Sequence, residues 1–160
     1  MRTKRMLMVG ALAALAVFAS ACSIDIERNA DGSLKIDSVL TAESFAAELE
    51  RDPLNNDTEI SIQDGVMTMT VDGVEETGEE YIATLLVDLG VRDGRLFVDI
   101  TEADYNGYDV PQWIVDAYNE AIERAIRVGA EDDPNTTLVS LVADNDQIVT
   151  EWRVEDRSRS

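Results

Sequence analysis

From residue 23 onward, apolar and polar residues alternate with a period of two through most of the chain, and short turn sequences interrupt the alternation at intervals. Asp31-Gly32, Asp64-Gly65 and Asp93-Gly94 each lie between two alternating runs, and Asp144-Asn145-Asp146 occupies the same kind of position near the end. A period of two puts the apolar side chains on one face of a strand. Asp-Gly supplies the positive φ that a two-residue hairpin turn requires. Four β-hairpins are therefore predicted. Met67, Met69 and Val71 should face inward from one strand, and Ile148, Trp152 and Val154 from another. The segment 81–91, YIATLLVDLGV, is more continuously apolar and is expected to be central and covered on both faces.

Two segments follow a helical period instead. In 41–52, TAESFAAELERD, Phe45 and Leu49 are four apart, Thr41 is a suitable N-cap, and Pro53 marks the stop. The longer segment starts at Pro111 in its first turn, where a missing N–H costs little. It places Ile114, Tyr118, Ile122 and Ile126 on one face with Ala121 and Ala125, and has Gly129 at the expected C-terminal cap.

In order, the elements read hairpin, helix, hairpin, twice over, with the halves meeting near 74–80. The wording echoes as well: DGSLKID against DGRLFVDI, and DPLNNDTEISI against DPNTTLVSL. This pattern predicts a ββαββ duplication with pseudo-repeats 24–72 and 81–154. The fold class is α+β, an antiparallel, hairpin-rich curved sheet packed on one short and one long helix. A single domain over 22–160 fits the length.

The first 21 residues stand apart. A basic start, Met1 to Arg5, precedes an uncharged apolar run from Met6 to Ala21, the layout of a secretory signal. At sixteen residues the run is shorter than the roughly twenty that a spanning helix needs. It ends in Phe18-Ala19-Ser20-Ala21-Cys22, which resembles the lipobox of bacterial lipoproteins, with Ala19 where that family prefers leucine. The resemblance implies that 1–21 is removed, that Cys22 carries the lipid, and that the protein is tethered to the extracytoplasmic face of a cell membrane or outer membrane. Cys22 is the only cysteine, so no disulfide is available to the domain.

Charge narrows the partners. The chain has 13 basic and 33 acidic residues, and three of the basic ones lie in the first 21, so the remainder carries a formal −23. Affinity for nucleic acid comes mainly from cationic contacts to phosphate, so that class is excluded. Broad docking on anionic lipid headgroups is excluded on the same ground. A cation-responsive acidic domain is a further reading. However, the calcium-loop-like start at Glu102, Asp104, Asn106 and Gly107 meets Trp113 where a bidentate Glu is needed, and 144–146 lacks the glycine. No metal and no cofactor are expected. Catalysis is poorly supplied: histidine is absent, and no phosphate loop, nucleophile elbow or zinc spacing occurs. The expectation is a protein that is not an enzyme.

The candidate binding segment is 104–119, DYNGYDVPQWIVDAYN, which holds Tyr105, Tyr108, Trp113 and Tyr118, half of the aromatic residues beyond position 21. Tyr and Trp combine an apolar body with a polar tip, which suits a binding rim or a staple that fastens loop to sheet. The hairpin 91–111 leading into a helix with YNEAI resembles units of the tubular lipid-binding superfamily over residues 81–154. That resemblance implies a curved sheet around a long helix. It also implies an apolar or lipid ligand in a groove between Ile114, Tyr118 and Ile122 on one side and Leu85, Val87, Leu96 and Val98 on the other. By composition the same residues are core. Two functional expectations stand: a membrane-anchored module binding an apolar ligand, or a tethered domain that binds an envelope protein or serves the envelope structurally.

Overall fold

A computed structural model describes residues 23–156. The signal segment 1–21 and Cys22 lie outside the described residues. The chain forms β1 (Ser23–Arg28), β2 (Leu34–Thr41), α1 (Ala42–Leu49), β3 (Asn55–Gln63), β4 (Val66–Val74), β5 (Glu80–Arg92), β6 (Arg95–Tyr105), β7 (Tyr108–Asp109), α2 (Gln112–Asp132), β8 (Thr136–Asp144) and β9 (Gln147–Val154). This is the expected α+β class. All strand pairs are antiparallel, and the strands divide into two sheets, β1-β2-β9-β8 and β3-β4-β5-β6-β7. Each sheet takes one hairpin pair from each half of the chain. The halves dock differently, however: β4 joins the first strand of the following hairpin, β5, whereas β9 joins the second strand of the first hairpin, β2.

The turns account for the hairpins. Asp64-Gly65, Asp93-Gly94, Asn106-Gly107 and Asn145-Asp146 all have positive φ at both residues, between 51° and 82°, the two-residue turn whose twist matches that of the strands. Asp31-Gly32 differs, with positive φ at Gly32 alone. There the hairpin closes further out, where Asn29 N–H donates to Ser33 C=O at 2.8 Å.

Helix α1 begins as expected, with the Thr41 side chain accepting from Ser44 N–H at 3.2 Å, and buries Ala42, Phe45 and Leu49. It stops three residues short of Asp52. Helix α2 has Pro111 as its N-cap and runs through Gly129 to Asp132. Gly129 does not take the left-handed conformation of a cap. Pro134 ends the helix instead, because the residue before a proline is pushed out of helical geometry and Asp133 has φ −129° and ψ 75°.

One core joins both sheets and both helices: Leu40, Phe45, Leu49, Ile62, Met67, Met69, Leu85, Val87, Ile100, Val115, Tyr118, Ile122 and Ile148. Strand β5 is central in its sheet, but it is covered on one face only. Tyr81, Ala83, Leu85 and Val87 are buried, while Ile82 is exposed.

Candidate functional site

The aromatic segment divides in the structure. Tyr105, the last residue of β6, stacks on Tyr81 of β5 with ring centroids 5.8 Å apart. Its hydroxyl donates to the Glu75 carboxylate, while the Tyr81 hydroxyl donates to Asn55 Oδ1 at 3.0 Å. Burial, followed by the Glu75 hydrogen bond, pushes the Tyr105 phenol up to about 12. Burial raises Tyr81 as well. The pair fastens the β4–β5 turn to the end of β6. Gly73 is required there, since a Cβ would stand 2.6 Å from the Tyr81 hydroxyl. Nothing in the alternation of β5 distinguished Tyr81 from its neighbours.

Tyr118 and Ile122 point into the sheet at 6% and 4% exposure, and burial raises the Tyr118 phenol. Ile114 packs partly buried against them. The buried seam of α2 is completed by Val115, while Ala121 and Ala125 are exposed. The buried seam is rotated slightly from the straight i, i+4 row, and the helix packs chiefly on β6. Leu85 and Val87 belong to the same buried cluster and Val98 packs against it; Leu96 is half-buried. Apart from Leu96, the residues assigned to a groove are thus brought together in and against one buried cluster.

Tyr108 and Trp113 are 78% and 70% exposed. They flank the Val110-Pro111 connection, where Val110 N–H donates to Ala103 C=O at 2.8 Å and anchors the backbone between them. Two aromatic side chains are therefore held on fixed backbone and shown to solvent. Comparison with family models, with curated proteins and with solved structures finds no match for this chain.

The acidic turns serve as backbone clamps. Asp104 Oδ1 accepts from Gly107 N–H at 2.9 Å, and Asn106 Oδ1 from Ile82 N–H at 2.8 Å. Asp146 Oδ1 accepts from Ile62 N–H at 2.9 Å, tying the β8–β9 turn to the other sheet. Asp31, which accepts from both the hydroxyl and the N–H of Ser33, has its carboxyl lowered to about 2, chiefly by the hydroxyl bond. One further functional contact escaped the pattern. Asn119 on α2 donates to Ile100 C=O at 2.9 Å and accepts from Ile100 N–H at 2.8 Å. It thereby acts as a neighbouring strand for β6, beside the extra residue Thr101 where the register shifts.

Proposed function

We propose that this protein is a lipid-anchored, extracytoplasmic and non-catalytic domain that binds a protein partner of the cell envelope through its surface. The observation that carries the reading is the division of the aromatic segment: the side chains suited to a lipid groove fill the core, and Tyr108 and Trp113 stand outside it. Exposed Tyr and Trp on rigid backbone offer large contact area at small entropic cost, which is the make-up of a protein-binding hot spot. The lipobox-like 18–22 supplies the tether at Cys22. Two or three acyl chains there hold the domain stably at the membrane.

The test is native mass spectrometry of the full-length chain carrying Cys22→Ser, together with a photo-crosslinking residue at position 113 in cells. A bare polypeptide mass and a discrete protein cross-link are expected. A reproducible adduct of lipid mass, abolished by Ile122→Trp, would overturn the reading in favour of an apolar ligand. The tether is checked separately: Cys22→Ser should leave the membrane fraction, and retention there would refute the lipid anchor.

A further inference from the structure

Unpaired backbone groups of a sheet collect at its edges, where they can template another strand. Two sheets have four edges, and on three of them other parts of the chain bond some of the outward groups. On β8, Leu138 N–H donates to Gly94 C=O and Ala143 C=O accepts from Gly65 N–H, each at 2.8 Å. On β3, Thr58 N–H donates to Glu50 Oε1 at 3.0 Å, and Ile62 bonds Asp146 through both its N–H and its C=O. On β6, the Asn119 amide takes both groups of Ile100, and β7 pairs with the end of the strand.

Strand β1 is the fourth edge. The Asn29–Ser33 bond sets its alternation. Ser23, Asp25 and Glu27 therefore turn their backbone groups to β2, and Ile24, Ile26 and Arg28 turn theirs outward. Among the described residues nothing bonds these outward groups. The strand is regular and free of bulges and prolines.

Its two faces differ in chemistry. Ile24 and Ile26 are 56% and 60% exposed. Ile26 begins a cross-strand row through Ile36 and Trp152 to Leu138, which is fully buried at the far end. The row is an apolar ladder lacking its last rung. On the other face Asp25 lies opposite Asp37 and Glu27 opposite Lys35, and that lysine is already paired to Asp37 at 2.9 Å. Like charges directly opposite are unfavourable, and among the described residues Asp25 has no ion pair. A second copy of the chain is a poor occupant. Antiparallel pairing of two β1 strands with their faces matched sets Asp25 against Asp25 or against Glu27, between two strongly acidic domains.

We propose that β1 is a strand-addition site for an extended peptide segment alternating basic and aliphatic side chains. The added backbone takes the outward N–H and C=O groups of Ile24, Ile26 and Arg28. Its aliphatic residues cover Ile24 and Ile26, and its basic residues answer Asp25 above all, with Glu27 shared with Lys35 across on β2. The inference rests on the reading of the chain as a protein-binding domain and adds a second surface with a defined partner chemistry.

The experiment is residue-resolved amide exchange by NMR on the full-length chain in a non-ionic detergent, with a short synthetic peptide of alternating lysine and valine. Exchange at Ile24, Ile26 and Arg28 is expected to slow by about tenfold or more. Ile26→Pro, which removes an outward donor and no bond to β2, should abolish the slowing with little change in thermal midpoint. Reversal of charge in Asp25→Lys, Glu27→Lys should switch the preference to a glutamate–valine peptide. Equal protection by a peptide with its lysines and valines in separate blocks, or an unchanged preference after charge reversal, would overturn the proposal. The two readings fail separately: a protein cross-link at 113 with unprotected β1 amides sinks only the edge assignment. A lipid adduct with protected β1 amides sinks only the reading of the aromatic surface.

Discussion

Asn119 and Tyr105 show how single side chains carry structure that the periodic pattern does not announce. Asn119 sits one residue beyond the buried Tyr118, on the polar margin of the α2 seam, and looks like a solvated helix residue until β6 is placed beside it. Asn119→Leu keeps the branched shape and strands the N–H and C=O of Ile100, which is itself 5% exposed. A loss of about 2–3 kcal/mol is expected, seen as a lower urea midpoint at an unchanged slope. Tyr105 governs a pH effect. Its folded pKa of about 12 lies above the ordinary 10, so the folded chain holds the proton more tightly than the unfolded one. That contribution is complete below pH 10 and is lost as the pH climbs toward 12. Tyr105→Phe should flatten the fall in thermal midpoint across this range. Some slope remains, because Tyr81 and Tyr118 are raised in the same direction.

Among the elements, the hairpins were legible because turn chemistry is local. Positive φ at Asp64-Gly65, Asp93-Gly94 and Asn145-Asp146 is a property of a few residues, and it appears where the sequence asked for it. Helix ends were less legible. Gly129 can cap a helix but does not oblige it to end, and Pro134 decided the matter. Edge protection lies beyond pattern altogether, since it needs residues from distant elements. Asp146→Ala tests this at the β3 edge: Ile62 is fully buried and would lose its carboxylate acceptor. About 1–3 kcal/mol of stability should go, with faster amide exchange at Ile62. Asp146→Asn, which keeps an acceptor oxygen, should recover most of it.

For the whole molecule, charge and packing make opposing demands. A formal −23 beyond position 21 opposes compaction, so added sodium chloride should raise the thermal midpoint by screening that repulsion. Calcium at matched ionic strength should do no more than magnesium. A specific rise with calcium would point to a native-state site and overturn the view of the acidic turns as backbone clamps. Alternation, turn residues and helical period, all short-range properties, were enough for the sequence by itself to determine the α+β class, the hairpins, the two helices and the strong acidity. The tertiary structure alone decided how the hairpins share two sheets, and that Tyr118 and Ile122 are buried in the cluster common to both. It also decided which aromatics remain outside, and that nothing among the described residues bonds the outer edge of β1. Strand order and burial depend on contacts between residues as far apart as Ile62 and Asp146, and a period read along the chain holds no information about which distant face will meet it.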